Sequence, residues 1–344
     1  MKPGTEVTLP MRVFITGGTG MIGRRLVQRL KGRGDTPVIL SRKPDETRRN
    51  PAIRGIQVIG GDPSDPGDWQ HAVDGCDAVV NLAGQNVFGH RWTSEIKRQI
   101  RDSRVYGAEH VVEAIAKARD RPKVLIQGSA IGYYGATGDE ELTEASPPGS
   151  DFLAVVCREL EQAAWAAEGM GLRLATIRTG VVLGKGEGAL GTMVPLFKIP
   201  GGAAPVGNGG HAFRLARGLQ WLSWIHIDDI VNLFLLALDH PGARGPINGT
   251  APSPARNVDF SRSLAKALRR PFLPFGPPDL ALRAMLGEVA NVVTTGQRVV
   301  PARALALGYH FEHPELDEAI RSALKPPKAA PSPEPLSASS TTHH

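Results

Sequence analysis

A glycine-rich stretch near the amino terminus constrains the fold of this chain more than any other feature. The apolar residues 13–15 lead into the pattern Gly-Gly-x-Gly-x-x-Gly at residues 17–23, and Ile22, Leu26 and Leu30 then recur every four residues. This spacing places the three side chains on one helical face. A strand, a glycine turn and a helix in this order are typical of a dinucleotide site, because backbone N–H groups at a helix N-terminus bind phosphate. A glycine-rich turn without a ligand is the alternative; we predict that the cofactor phosphates contact Gly17, Gly18, Thr19, Gly20, Met21, Ile22 and Gly23.

The composition excludes several classes of protein. The 344 residues contain 41% hydrophobic residues, enough for one large core or two smaller ones. No apolar run approaches the roughly 20 residues that a membrane span needs, and the residues before Met11 lack the apolar core of a secretion signal. We therefore expect a cytoplasmic protein without a membrane partner.

The charge and the cysteine count narrow the possible ligands. The net charge of +6 suits a phosphorylated cofactor or an acidic substrate, while no block of Lys and Arg is interleaved with aromatic residues. We therefore predict no nucleic-acid partner. Cys76 and Cys157 are the only cysteines, too few for a disulfide framework or a cysteine zinc site, and we predict no bound metal.

The end of the second predicted strand indicates which dinucleotide is bound. Residues 38–40 form this strand, and Ser41, Arg42 and Lys43 follow it. An acidic residue at this place hydrogen-bonds the ribose hydroxyls of NAD, whereas a basic residue pairs with the 2′-phosphate of NADP. Arg42, assisted by Ser41 and Lys43, therefore favours NADP(H); a solvent-exposed loop with ordinary charges is the alternative.

Further short apolar segments predict a parallel sheet. Strands are expected at residues 57–59, 78–82, 123–129 and 172–178, with long helices at 93–117 and 153–168. Strands that alternate with helices predict the doubly wound α/β architecture, the Rossmann type, with its ligand crevice beyond the carboxyl ends of the strands. At these ends we expect Leu82, Ala83 and Gly84 to pass beside the cofactor ribose. Asp62 is predicted either to bind the adenine amine or to cap the following turn.

The remaining chain is predicted to divide into several regions. We assign residues 11–183, together with 222–252, to an NADP-binding Rossmann domain, with Asp228 or Asp229 capping its last helix. The glycine-rich residues 184–221 suit a lid over a substrate or an ordinary surface excursion. Short helices separated by prolines predict a smaller, mostly helical C-terminal substrate domain at 253–324. Residues 1–10 and 325–344 have the composition of flexible tails.

Several motifs together resemble the extended short-chain dehydrogenase/reductases. More narrowly, the chain is similar to the atypical branch called "epimerase family protein", or NAD-dependent epimerase/dehydratase-like, whose members carry a C-terminal domain of unknown function. In addition to the glycine turn, the motifs include Asn81-Leu82-Ala83-Gly84-Gln85-Asn86, Asp102-Ser103-Arg104-Val105, Ser129-Ala130-Ile131-Gly132-Tyr133-Tyr134-Gly135, Arg178-Thr179-Gly180-Val181-Val182-Leu183-Gly184 and Ser223-Trp224-Ile225-His226. Within these motifs we also assign Arg104, Arg178 and Val181 to the cofactor site.

The resemblance implies a catalytic serine on the fifth strand and a tyrosine–lysine pair four residues apart on the next helix. The serine is present as Ser129, but Leu153 stands at the tyrosine position and Cys157 at the lysine position. Leucine cannot exchange a proton, and a thiol with an ordinary pKa cannot replace an ammonium group. Arg104 stands where the superfamily has its active-site asparagine.

Candidate replacements for the missing pair lie just beyond the fifth strand. Tyr133 and Tyr134 carry phenols, and Arg104 could lower the pKa of a phenol or hold a substrate carboxylate. The alternatives are that Tyr134 is structural and that Cys157 is a small buried hydrophobe rather than a catalytic residue. His226, beside Asp228, is interpreted as a turn-stabilising residue.

We therefore predict an NADP(H)-dependent oxidoreductase or epimerase-like enzyme that acts on a small polar substrate. The alternative is a cofactor-binding sensor or regulatory protein that has kept the fold and lost turnover. The absent Tyr/Lys pair favours the sensor, whereas the retained Ser129 and the lid-like segment favour the enzyme. Either protein is expected to be a monomer or a homodimer.

Overall fold

The computed structural model describes residues 10–207 and 215–325. In these residues thirteen strands are formed: β1 (Arg12–Thr16), β2 (Thr36–Ser41), β3 (Gln57–Gly60), β4 (Ala78–Asn81), β5 (Val124–Ala130), β6 (Glu141–Leu142), β7 (Arg173–Thr179), β8 (Val181–Gly184), β9 (Trp221–Leu222), β10 (Trp224–His226), β11 (Gly245–Gly249), β12 (Ala255–Arg256) and β13 (Arg298–Val299). The α-helices are α1 (Met21–Gly32), α2 (Pro44–Arg49), α3 (Ser94–Lys117), α4 (Phe152–Trp165), α5 (Gly188–Lys198), α6 (Ile227–Asp239), α7 (Asn257–Ala267), α8 (Asp279–Leu286), α9 (Ala290–Thr294), α10 (Ala302–Ala306) and α11 (Leu316–Leu324). Short 3-10 helices occur at Pro51–Ile53, Asp68–Val73, Ile131–Tyr134, Glu168–Met170 and Gly287–Val289.

A seven-stranded sheet forms the centre of the described chain. Its strand order is β11-β7-β5-β4-β1-β2-β3, and every neighbouring pair is parallel. The order reverses at β1, which pairs with β2 on one side and β4 on the other. The predicted doubly wound Rossmann fold is therefore confirmed, and the strands' carboxyl ends meet along one edge, where a ligand crevice is expected.

Helices cover both faces of this sheet. Val13 and Ile15 of β1 contribute to a core with α1 and α6, whereas Phe14 contributes to a second core with α3 and α4. Because successive side chains of a strand point to opposite faces, β1 is apolar on both sides. The helices thus hold the strand ends in fixed positions, and the candidate site lies on those ends.

Three details of the sheet region differ from the prediction. Strand β11 was not expected, since its sequence Gly-Pro-Ile-Asn-Gly has little strand character; it lies at the sheet edge, where proline is tolerated. Helix α4 ends at Trp165 rather than at residue 168, and a 3-10 turn follows. Neither Asp228 nor Asp229 caps α6, because the N-cap is His226.

The chain after β7 forms smaller units beside the sheet. Strand β8 pairs with β10, β9 pairs with β12, and β6 pairs with β13. Helix α5 occupies part of the region expected to form a lid, and α7 packs against α11 in a separate apolar core. The predicted helical C-terminal region is therefore confirmed. The domain boundaries stay predictions; most of the two predicted tails, and residues 208–214 of the lid, lie outside the described residues.

Candidate functional site

The glycine turn between β1 and α1 leaves no room for side chains at two of its positions. Gly17 has a φ of +66°, and a Cβ there would lie 2.7 Å from the carbonyl of Leu82. A Cβ on Gly23 would lie 2.3 Å from the carbonyl oxygen of Gly17. Gly20 is the N-cap of α1, and no side chain in the described chain accepts a hydrogen bond from the first amides of this helix. The first amides of α1 are therefore available to a phosphate, at the end of the helix where the dipole is positive.

A buried polar network joins this turn to the turn after β4. The Thr16 hydroxyl donates to Asn81 Oδ1 and accepts the N–H groups of Leu82 and Ala83, at 3.2 and 3.1 Å. Asn81 Nδ2 donates to Gln127 Oε1 at 2.9 Å. Thr16, Asn81 and Gln127 are at most 1% exposed. The ends of β1 and β4 and the middle of β5 are therefore tied together beneath the crevice.

The residues predicted to recognise the adenosine half lie after β2 and β3. The buried Ser41 hydroxyl accepts the N–H of Lys43 at 3.1 Å and hydrogen-bonds Thr47 Oγ1 at 2.8 Å. The Arg42 side chain is 75% exposed, and its nearest carboxylate oxygen, on Asp62, is 3.9 Å away. Asp62 also accepts the N–H and hydroxyl of Ser64, so it makes the turn contacts that were one of its two predicted roles. Arg42 is thus loosely held and open to solvent.

Ser129, near the end of β5, contacts a carboxylate that the sequence analysis did not identify. Its hydroxyl donates to Glu161 Oε1 at 2.8 Å. Arg178 of β7 binds the same carboxylate in a bidentate manner, through Nε at 2.9 Å and Nη2 at 2.8 Å. Glu161 lies on α4, one helical turn after Cys157, and this i, i+4 spacing is the sequence signal that could have revealed it. The site therefore contains a serine–carboxylate–arginine cluster.

Tyr134 is held inside the protein by Arg178. Its hydroxyl accepts from Arg178 Nη1 at 2.9 Å and donates to Asn248 Oδ1 at 2.7 Å, and the residue is 2% exposed. Burial raises the pKa of the Tyr134 phenol, although Arg178 opposes the shift. The Arg178 guanidinium also lies 3.4 Å from the ring centre of the half-buried Tyr133. The contacts of Tyr134 favour the structural alternative, and its cationic neighbour is Arg178 rather than Arg104.

Cys157 and Arg104 adjoin this cluster. Burial, followed by the charge of Glu161, raises the pKa of the Cys157 thiol to about 11, so the thiol is protonated at neutral pH. Arg104 donates to the carbonyl oxygen of Ile100 at 3.0 Å, and its guanidinium carbon is 3.1 Å from the position of a Cβ on Gly84. Burial lowers the pKa of Arg104. These contacts favour a packing role for Cys157 and leave a desolvated cation beside the turn after β4.

Among the described residues, His226, Asp228 and His313 bring possible metal ligands within 4.8 Å of one another. Nevertheless, His226 Nδ1 already accepts the N–H of Asp228 at 3.1 Å, and Arg25 and Arg29 lie 3.6 and 4.0 Å from the Asp228 carboxylate. These positive charges oppose a cation at this place. The geometry agrees with the interpretation of His226 as a residue that stabilises a turn; the absence of a metal stays a prediction.

The structure thus groups the predicted site residues in two places along one edge of the sheet. Ser41, Arg42, Lys43 and Asp62 lie at the ends of β2 and β3. The second group lies around the ends of β4, β5 and β7 and consists of Leu82, Ala83, Gly84, Arg104, Ser129, Tyr133, Tyr134, Cys157 and Arg178. Val181 begins β8 and donates its N–H to the carbonyl of Ser223 at 2.9 Å. The glycine turn after β1 lies between the two groups.

Comparison with known proteins agrees with this arrangement. A model of the NAD dependent epimerase/dehydratase family matches residues 13–248, and a model of a domain of unknown function (DUF1731) matches residues 277–323. This chain belongs to the NAD dependent epimerase/dehydratase family. The resemblance inferred from the motifs is therefore confirmed, including the domain of unknown function at the C-terminal end.

Individual relatives extend this family assignment over most of the chain. The "Epimerase family protein SDR39U1 homolog, chloroplastic" of Arabidopsis thaliana is 43% identical over 321 residues, which are 92% of this chain and 87% of that protein. A crystal structure of human epimerase family protein SDR39U1 (isoform2) with NADPH is 34% identical, with a TM-score of 0.79 over 91% of this chain and 99% of that one. A UDP-glucose 4-epimerase of Thermus thermophilus, in complex with NAD, shares the fold at 20% identity and a TM-score of 0.72, over 91% of this chain and 98% of its own.

None of the helices in the described residues is long and apolar enough to cross a membrane. The cytoplasmic location stays a prediction, and the Arabidopsis relative is named as a chloroplast protein.

Proposed function

We propose that this protein is an NADP(H)-dependent oxidoreductase or epimerase-like enzyme that acts on a small polar molecule. The observation that carries the proposal is the turn between β1 and α1, where a side chain at Gly17 or Gly23 would collide with backbone. Such a turn exposes helix amides to a diphosphate and suits a dinucleotide. The human relative crystallised with NADPH supports the same cofactor.

The choice of NADP(H) over NAD(H) rests on the residues after β2. Arg42 is exposed, and its nearest carboxylate oxygen is 3.9 Å away, beyond hydrogen-bond distance. Its guanidinium therefore needs little rearrangement to bind a 2′-phosphate, and Lys43 adds a second positive charge nearby. No acidic residue occupies positions 41–43, where one would favour the ribose hydroxyls of NAD.

The proton chemistry in this proposal belongs to Ser129 and Glu161. NADP(H), when bound, supplies or accepts a hydride. Because the Ser129 hydroxyl donates a hydrogen bond to Glu161, the lone pairs of Ser129 Oγ are left to accept a hydrogen bond from a substrate hydroxyl. When a substrate alcohol is oxidised, its proton can pass to Ser129 Oγ while the serine proton moves to Glu161 Oε1; carbonyl reduction reverses both proton transfers. Arg178 holds the carboxylate in place with two hydrogen bonds.

A second candidate function is a sensor that binds the cofactor without turnover. The specific observation in its favour is that burial raises the pKa of both the Tyr134 phenol and the Cys157 thiol, while Leu153 carries no proton to transfer. In that case the carboxylate of Glu161 would only balance the charge of the buried Arg178.

A turnover screen separates the two functions. Purified protein with NADPH is tested against aldehydes, ketones and quinones, and the nicotinamide absorbance is followed. The enzyme proposal predicts turnover with at least one carbonyl class, which Ser129→Ala abolishes while the affinity for NADPH stays nearly unchanged. NADPH binding without turnover on any class would favour the sensor. Loss of folding in Ser129→Ala, seen by circular dichroism, would instead assign this serine a structural role.

A further inference from the structure

Arg104 differs from neighbouring arginines because the described residues offer it no acidic partner. Arg101, on the same helix, hydrogen-bonds Glu159 at 2.6 Å, and Arg178 binds Glu161. In contrast, none of the Asp and Glu oxygens in the described part of the chain lies within 4.0 Å of the Arg104 guanidinium. Its hydrogen bond goes to a carbonyl of its own helix. A half-buried cation without a counter-charge is unfavourable, and an anionic ligand would remove that cost.

The turn that Arg104 contacts follows a different strand from the turns at which the two phosphate positions of the cofactor are predicted. The diphosphate is expected at the turn after β1 and the 2′-phosphate near Arg42 after β2. Arg104 packs against Gly84, in the turn after β4. In the sheet order, β4 and β5 lie on the opposite side of β1 from β2. Since neighbouring strands are about 4.8 Å apart, β5 is roughly 10 Å from β1.

We propose that Arg104 binds a carboxylate or phosphate group of the substrate, so that the substrate is a small organic oxyanion. This inference rests on the proposed function and adds the chemical class of its substrate. The planar guanidinium presents paired N–H groups that match two oxygens of either anion. The turn after β4, which Arg104 contacts at Gly84, packs against Gly128, the residue before Ser129 on β5, so the bound anion would be held on the same side of the crevice as the residue proposed to exchange the substrate proton.

The test measures anion binding and needs no knowledge of the natural substrate. Protein saturated with NADP⁺ is titrated with oxalate and, separately, with inorganic phosphate in an isothermal titration calorimeter at constant ionic strength. We expect at least one anion to bind the wild-type complex, with an affinity that falls about tenfold or more in Arg104→Gln, the loss of one charge-assisted contact. Arg104→Lys should restore part of the affinity. Arg101→Gln is the matched control and should bind as the wild type does.

Several results would overturn the inference. The first is that neither anion binds to the NADP⁺ complex, and the second is that the wild type and Arg104→Gln bind the anions equally. The third is that the anions bind only in the absence of NADP⁺ and compete with it. The last result would assign Arg104 to the cofactor. If Arg104→Gln does not fold, as judged by circular dichroism, wild-type affinity in Arg104→Lys would count against a bidentate contact. The titration with NADP⁺ that comes before the anion titration shows whether the cofactor binds at all. Failure of NADP⁺ to bind would refute the proposed function itself.

Discussion

Replacing Thr16 with valine tests how the turn after β1 and the turn after β4 are held together. Thr16→Val keeps the shape and volume of a side chain that is 0% exposed but removes its hydroxyl. Asn81 Oδ1 then loses a donor and the Ala83 N–H loses its acceptor. The Leu82 N–H keeps its second acceptor, the carbonyl oxygen of Thr16, at 3.2 Å. One buried acceptor, Asn81 Oδ1, and one half-buried donor, the Ala83 N–H, are therefore left without these bonds.

The expected cost follows from those two groups. An unsatisfied buried group costs about 1–3 kcal/mol and a half-buried one less, so the free energy of unfolding should fall by about 1–4 kcal/mol. Urea denaturation followed by circular dichroism measures this change, provided that unfolding is two-state. Thr294→Val is the matched control, because Thr294 is 1% exposed but its hydroxyl only donates to Ala290 within one helix. A loss below about 1 kcal/mol in Thr16→Val, or an equal loss in both variants, would show that the Thr16 hydroxyl does not hold the turns together.

Three further predictions concern other charged and titratable groups. Glu161→Gln leaves the buried Arg178 without its counter-charge, so urea denaturation should show that the free energy of unfolding falls by about 3–5 kcal/mol. If the losses caused by Glu161→Gln and Arg178→Met simply add in the double variant, the two side chains do not interact directly, which would contradict this prediction. Burial raises the pKa of both Cys76 and Cys157 to about 11, so a disulfide reagent at pH 8 should label them far more slowly in the native protein than in urea, and equal rates would oppose this. Burial, with the charge of a neighbouring histidine, lowers the pKa of His226 from 6.5 to about 4. The unfolded state then binds more protons, so the free energy of unfolding should fall as the pH drops from about 6.5 towards 4. His226→Asn keeps a capping side chain and should show a smaller fall. The same pH profile in His226→Asn and the wild type would contradict this assignment.

Much of the sheet could be predicted because its strands are short apolar runs that alternate with helices. Residues 13–15 and 38–40 are apolar throughout, as expected for strands covered on both faces. Strand β11 could not be found in this way, since Pro246 and the two glycines of the strand have little strand propensity and its formation depends on long-range contacts such as the pairing with β7. The cap of α6 was assigned wrongly because a histidine nitrogen accepts the N–H that an aspartate usually accepts.

The candidate site was predictable where it depends on local sequence and was missed where it depends on distant contacts. The glycine turn lies within seven residues and has a recognisable spacing. Glu161 is 32 residues from Ser129 and reaches it only because α4 packs beside β5. Thr16 and Asn81 gave a weak signal, a polar residue at the end of an apolar strand, but their mutual contact requires the register of β1 and β4. The roles of the individual site residues stay predictions.

The proposed function depends most on a phosphorylated nicotinamide cofactor bound at the carboxyl ends of β1 and β2. The most direct test is calorimetric titration of the wild type, Arg42→Ala and, as control, the exposed Arg49→Ala with NADPH and NADH. We predict that the wild type and Arg49→Ala bind NADPH more tightly than NADH, and that Arg42→Ala reduces this preference about tenfold through weaker NADPH binding. Equal affinities for both cofactors in the wild type, or no binding of either, would contradict it.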